Sequence, residues 1–374
     1  MPIEIDYGGT PAGYAAEDAA KGEQLKVISF DFSSSEDGDI FIKRLEGLPA
    51  EILNKIPPAS RPLESQVDNM LVIYKPDGKA VIYVNEIAPK ALIRVKRDIA
   101  PGELVFESDI ADIARIEFPD GIQIPPDCGL LYLFSIGWRK GLFFDLNPLY
   151  GENRSYDLGK LLASMHSYLK FQHIFRVTDS EWDALLNHGW FPFISLKRSS
   201  IERLFWSARN DRDYRELVDI VANDFDEKLD ARLSGWKRNE FAKAHIEFLE
   251  RAVQHYRNAD YISASALIYP QIEGLMRSFY RAQRLSAKQT QNALADSIVA
   301  PTEKNSHGYS MLLPTHFTRY LKEVYFRDFN PDAPVGVSRN TVSHGVATAA
   351  ELDKKASLVG LLLIDQILYY MRLE

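Results

Sequence analysis

Leu130-Leu131-Tyr132-Leu133-Phe134-Ser135-Ile136-Gly137-Trp138-Arg139-Lys140-Gly141-Leu142-Phe143-Phe144-Asp145 reads as two aromatic-rich strands joined at Arg139-Lys140. Beyond it the apolar residues change period. Leu158, Leu161, Leu162, Met165 and Leu169 recur at helical spacing. The chain therefore passes from strand to helix near residue 150, and the two sides of that point are read separately.

On the near side, Leu25 to Phe32 roughly alternates around β-branched Val27 and Ile28. Met70 to Tyr74 and Ala80 to Val84 flank Pro76-Asp77-Gly78, a hairpin signal. Ala91 to Val95, Glu103 to Phe106 and Ile113 to Phe118 continue the strand pattern, with one or two short helices near 40–56. The stretch up to Ala20, rich in Gly, Ala and acids, is expected to be poorly ordered. Phe134, Trp138, Phe143 and Phe144 sit at strand spacing and are expected in the core.

On the far side, Thr178-Asp179-Ser180-Glu181 is a capping box, and Gly189 stops the helix it starts, with His188 at its C-terminal end. Residues 201–233 are charged and helical. The spacing predicts one helix over Arg238 to Tyr256, with Phe241, Ala244, Phe248 and Val253 inward. A second, capped by Asp260 and bent at Pro270, is expected to reach Arg284; others cover 287–299 and 315–329. Asn330-Pro331-Asp332-Ala333-Pro334 is a breaker, and the last helix runs to the C-terminus. Its run Leu361-Leu362-Leu363-Ile364 is apolar all round, so it is buried in its own domain or in a partner. The fold class expected is α+β multidomain: a β-rich domain over 1–150, a helical connector over 151–234, and an all-α bundle over 235–374.

The chain has 374 residues, of which 46% are hydrophobic and 26% charged, the balance of a folded protein rather than a disordered one. The single cysteine, Cys128, permits no internal disulfide and no Cys-based zinc site. The first residues lack a signal-peptide pattern, and Asp365 and Gln366 interrupt the most apolar stretch. A cytoplasmic protein with no membrane span is expected. Net charge is −8, but unevenly spread. Residues 235–374 hold 17 Lys and Arg against 14 Asp and Glu, whereas 1–234 hold 27 against 38. A nucleic-acid contact, if made, belongs to the last third.

Walker, dinucleotide-binding, zincin and serine-hydrolase signatures are missing from the sequence, and no cofactor or metal is expected. His166 and His173 share one helix face by their spacing, a pattern that does not match the usual pairs of metal ligands. The segment with chemistry in it is Ser338-Arg339-Asn340-Thr341-Val342-Ser343-His344-Gly345, expected to open the last helix. Arg339 is a permanent cation whose planar fork suits phosphate oxygens. His344 exchanges a proton near neutrality and lies i+4 from Asn340, on one helical face. Gly345 removes a side chain beside the imidazole, and a helix N-terminus adds backbone donors, so the set reads as an anion site with a proton carrier.

Such a site suits metal-free cleavage of RNA through its 2′-hydroxyl, with His344 as acid or base and Arg339 stabilising the phosphate. Arg339-Asn340, three residues, then His344-Gly345 before an apolar C-terminal helix resembles the R-x4–6-H motif of the HEPN superfamily. The resemblance covers about residues 238–374; no family is recognised for 1–234. It implies a small, usually homodimeric helical bundle and a metal-independent endoribonuclease of the kind found in phage defence or stress response. Tyr269-Pro270-Gln271-Ile272-Glu273-Gly274-Leu275 resembles the acidic helix that packs near the motif in some branches, so Glu273 would orient Arg339. The catalytic set implied is Arg339, His344, Asn340 and Glu273; the partners implied are RNA and a second copy of the chain. A second match, Arg238-Asn239 to His245, lacks the following glycine and is read as a decoy. The acidic front would serve as a sensor or inhibitory domain. The alternative is a non-catalytic HEPN-like dimerisation or RNA-binding scaffold whose function is carried by the N-terminal domain.

Overall fold

The computed structural model describes residues 2–9, 11, 13–35, 48–283, 288–329 and 336–373. The molecule is of mixed class, β-rich in its N-terminal part and helical in its C-terminal part. It forms two compact units, Met1–Ile93 with Ile113–Gln172, and Arg94–Asp112 with His173–Glu374. The helices over 179–237, expected as a connector, belong to the second unit together with the C-terminal helices.

The first unit is built on strands β1 (Ile3–Asp6), β4 (Phe30–Ser35), β5 (Met70–Tyr74), β6 (Lys79–Val84), β9 (Gly129–Ile136) and β10 (Arg139–Asp145), with β2 (Tyr14–Ala15) and β3 (Val27–Ile28) paired beside them. The sheet order is β1-β6-β5-β9-β10-β4, and every pair is antiparallel. Strand β5 is apolar at every position because both faces of the sheet are covered. Met70, Val72, Leu131, Leu133, Leu142 and Phe144 pack with Ile52, Leu53 and Ile56 of and beside helix α1 (Leu48–Lys55). The alternate residues face helix α2 (Leu158–Lys170): the ring of Phe134 stacks on His166 at 4.3 Å, and Gly141 leaves room for Phe134 and Leu169, which an added Cβ would meet at 2.7 and 2.9 Å. The remaining strands, β7 (Lys90–Val95) and β8 (Ile110–Glu117), pair with each other.

Several expectations for the first half of the chain need correction. The N-terminal stretch is not free. Ile3 and Ile5 alternate with Glu4 and Asp6, so β1 presents an apolar face and pairs with β6, Ile3 opposite Ile82. The β9–β10 turn falls at Gly137-Trp138, not at Arg139-Lys140; Gly137 takes the left-handed φ of +63° that the turn requires. Trp138 is thereby carried out of the core to 61% exposure, with Arg139 over its ring at 4.9 Å, while Phe134, Phe143 and Phe144 are buried. Residues 103–106 form no strand and lead into a short 3-10 turn, Glu107–Asp109. His166 and His173 do not share a helix, because α2 ends at Lys170. Part of the helical expectation near 40–56, over 36–47, lies outside the described residues, as does the breaker at 330–334.

The second unit is helical: α3 (Asp179–Asn187), α4 (Arg198–Arg209), α5 (Arg215–Asp226), α6 (Leu229–Lys237), α7 (Ile246–Arg257), α8 (Tyr261–Ala282), α9 (Gln291–Asn305), α10 (Pro314–Tyr320), α11 (Arg339–Ser343) and α12 (Lys354–Tyr370). The capping box at α3 is present, Glu181 N donating to Thr178 Oγ1 at 3.3 Å and Thr178 N to Glu181 Oε2 at 2.7 Å. Gly189 ends α3 at φ +68°. Helix α8 is the centre of the unit and touches α7, α9, α11 and α12. Small residues let α12 approach it: an added Cβ at Gly360 would lie 2.5 Å from Ile268 Cγ2, and the buried hydroxyls of Ser265 and Ser357 bond at 3.0 Å. The apolar run Leu361–Ile364 is buried within this unit.

The helix expected over Arg238 to Tyr256 is broken. Helix α6 ends at Lys237, a 3-10 turn comes next at Glu240–Ala242, and α7 starts at Ile246. Starting there puts Leu249, Ala252, Val253 and Tyr256 inward and leaves Phe248 47% exposed. Helix α10 continues into a π-helical turn, Leu321–Tyr325. Among the described residues no helix is long and apolar enough to cross a membrane.

Candidate functional site

The segment 338–345 does not open the last helix. It forms the separate five-residue helix α11, and α12 starts only at Lys354 with Asp353 as its N-cap. Local chemistry accounts for the stop. Gly345 takes φ +69°, its N–H bonds to Val342 O at 3.2 Å, and Val346 N–H bonds back to Thr341 O at 2.9 Å. These are the paired bonds of a glycine-terminated helix, so Gly345 acts as a helix stop, with His344 as the C-cap. At the other end Ser338 and Thr341 cap each other: Thr341 N donates to Ser338 Oγ at 3.2 Å and Ser338 N to Thr341 Oγ1 at 2.9 Å. The N–H groups of Thr341 and Val342 are thus taken up by Ser338, and a helix of five residues does not form the extended N-terminal anion site read from sequence.

Glu273, on α8, is buried at 5% exposure and is ringed by cations. One of its oxygens accepts from Arg277 Nε at 2.8 Å, one turn along the same helix; the other forms an ion pair with Arg339 Nε. Arg277 reaches on to Gln289 Oε1 at 3.1 Å. Arg339 donates from Nη1 to Asn340 Oδ1 at 3.0 Å, an oxygen that also accepts from Gln291 Nε2 at 2.9 Å. Asn340 in turn donates to the Phe326 and Arg327 carbonyls at 3.1 and 3.2 Å, at the end of the π-helical turn. One carboxylate thus faces two guanidinium groups, and one positive charge is left over. The buried phenol of Tyr325, which donates to Tyr269 O at 2.7 Å, is held protonated by burial first and by the Glu273 charge second, with Arg339 opposing.

Three of the four sequence-selected residues therefore meet: Glu273, Arg339 and Asn340. His344 stands apart from their side chains. It is exposed, its ring leans on Phe329 at 5.5 Å, and among the described residues its ring nitrogens have no hydrogen-bond partner. Its backbone N–H, but not its ring, joins it to Asn340, through the 3.0 Å bond to the Asn340 carbonyl. Arg277, Gln289 and Gln291 were missed from sequence. The i, i+4 spacing of Glu273 and Arg277 was a usable signal; the two glutamines carried none. The second motif match is dispersed. Arg238 pairs with Asp98 at 2.6 Å, and His245 lies on Gly274, its ring bonded to Gln271 at 2.8 Å and Ser278 at 3.2 Å.

The first unit offers a different buried histidine. His166 is pushed down to about 4 by burial, against the opposing hydrogen bond to Leu162 O at 2.8 Å. A carbonyl only accepts, so Nδ1 carries the proton of this neutral ring. Among the described residues, no group of three or more His, Cys, Asp and Glu is placed to hold a metal ion. No family model, curated protein or solved structure matches the chain.

Proposed function

We propose that the second unit is a HEPN-type metal-independent endoribonuclease that acts as a homodimer in the cytoplasm, in phage defence or stress response. The observation that carries this reading is that one short segment holds both the Arg339 guanidinium, at the first position of α11, and an exposed, unpartnered imidazole at His344, the C-cap of that helix. Glu273 fixes the Nε edge of Arg339, and the Nη2 edge is left for a phosphate oxygen. In the reaction the RNA 2′-oxygen attacks phosphorus, the bond to the 5′-oxygen breaks, and the products are a 2′,3′-cyclic phosphate and a 5′-hydroxyl. One His344 takes the 2′-hydroxyl proton; His344 of a second copy gives a proton to the leaving oxygen. Arg339 stabilises the charge that builds on the phosphorane.

A scaffold reading draws on a different observation. Asn340 and one edge of Arg339 are spent on internal bonds that pin α11 to α8 and to the end of the π-helical turn. The two readings separate on the chemistry of the ends. The full chain is incubated with RNA and with the all-deoxy form of the same sequence. The nuclease reading expects cyclic phosphate ends from RNA alone; an intact RNA, or equal cutting of both, removes it.

A further inference from the structure

A cavity of about 670 Å3 opens in the second unit, lined from residues 96–109, 194–197, 224–238 and 365–372. Glu273, Arg339 and His344 do not line it, so a ligand held there is independent of the nuclease reading. Its size falls within the ordinary range of small-molecule sites.

The charges on its wall are unbalanced in one direction. Five carboxylates line the cavity, held by four cations. Asp98 pairs with Arg238 at 2.6 Å and Asp109 with Arg97 at 2.9 Å. Lys197 holds both Asp224 at 3.1 Å and Glu227 at 2.7 Å. Asp365 takes Arg232 at 2.6 Å and the Trp236 indole N–H at 2.8 Å. Three further cations line the same cavity, Lys96, Lys228 and Arg372, and among the described residues none has a carboxylate within ion-pair distance. The ammonium of Lys96 has only a long 3.4 Å contact to the Leu196 carbonyl. Burial, with Arg232 and Lys228 adding to it and Asp109 opposing, pushes Lys96 down to about 8. An anion entering the cavity would relieve that strain on the charged form.

The uncharged part of the wall mixes serines with apolar side chains. Leu196, Trp236 and Leu368 are buried behind it, and Tyr369 presents a half-buried ring. Seven cations therefore face five carboxylates, a net of +2, and a monocarboxylate would leave one positive charge uncompensated. A phosphomonoester concentrates two charges on one compact head, which matches that net; Arg372, whose Nη2 donates to the Gly235 carbonyl at 2.8 Å, has further N–H groups to offer a phosphate oxygen. We propose that this cavity binds a mononucleotide-sized organic phosphate, its phosphate neutralised by Lys96, Lys228 and Arg372 and its organic part lying against Leu196, Trp236 and Tyr369.

The test is calorimetric titration of the full chain with AMP, adenosine and inorganic phosphate at one ionic strength. AMP is expected to bind with a Kd below about 1 mM. It should bind at least about tenfold more tightly than adenosine or inorganic phosphate, since both halves of the ligand are used. Lys96→Met should weaken AMP about tenfold or more; Arg372→Gln, at an exposed position, should weaken it too and keeps the test open if the Lys96 variant fails to fold. Failure of AMP to saturate, adenosine binding as tightly as AMP, or wild-type affinity in a folded Arg372→Gln variant each overturns the proposal.

Discussion

Replacing Glu273 with alanine is the perturbation that bears most directly on how the Arg339 site is held. The carboxylate is buried, at 6% side-chain exposure, while Arg277 and Arg339 are 35% and 24% exposed. Its removal leaves two guanidinium groups facing one another with no counter-charge. Breaking a fully buried pair costs about 3–5 kcal/mol, and an exposed pair about 0–1 kcal/mol. The arginines are a quarter to a third open to water, so part of the penalty is recovered by solvation, and a loss of about 2–3 kcal/mol is expected. For a unit of this size that lowers the thermal midpoint by roughly 5–10 °C. Glu273→Gln keeps the volume and one acceptor and should lose about half as much. The assay is urea unfolding followed by circular dichroism, run as a double-mutant cycle with Arg339→Ala. Because the two residues share an ion pair, the losses should fail to add by about 1 kcal/mol or more. A Glu273→Ala protein within about 0.5 kcal/mol of wild type, or strict additivity in the cycle, would refute the reasoning.

The packing sets two further outcomes. His166 is neutral in the folded first unit down to about pH 4, whereas in the unfolded chain it takes a proton below about 6.5. Stability contributed by this group is complete above about pH 6.5 and is lost as pH falls toward 4, by about 3 kcal/mol in all. Unfolding free energies at pH 7 and pH 4.5 should therefore diverge more in wild type than in His166→Phe; equal slopes would contradict the assignment. Gly360→Ala drives a Cβ to within 2.5 Å of Ile268 Cγ2 at the α8–α12 crossing and should cost about 1–3 kcal/mol by the same unfolding assay, and an unchanged midpoint would mean that the crossing relaxes freely.

Where the hydrophobic period was strong, the sequence was a good guide. The β5–β6 hairpin, the switch to helix at Leu158, the capping box at Thr178 and the buried run Leu361–Ile364 are all in place. The errors concentrate where a short-range signal was overridden. Arg139-Lys140 was read as the join between two aromatic-rich strands, but the left-handed Gly137 decides the turn and carries Trp138 outward. Phe248 fitted a stripe that presumed an unbroken helix from Arg238, and the break before Ile246 rotates it to the surface. Gly345 was read as room beside an imidazole, yet its positive φ makes it the stop of α11. At the candidate site, spacing within one helix was legible, so Glu273 with Arg277 could have been found. The contacts of Gln289 and Gln291 depend on how the start of α9 and the residues just before it lie against α8 and α11, which no local pattern encodes.

The nuclease reading rests on His344, the exposed imidazole whose ring nitrogens have no hydrogen-bond partner among the described residues. The most direct measurement is cleavage of a mixed RNA pool by the full chain in EDTA, wild type against His344→Ala, with both proteins checked for equal unfolding midpoints. Cleavage by wild type is expected, with a loss of about 100-fold or more in the variant. Equal cleavage by the two proteins, or no cleavage by a folded wild type, would contradict it.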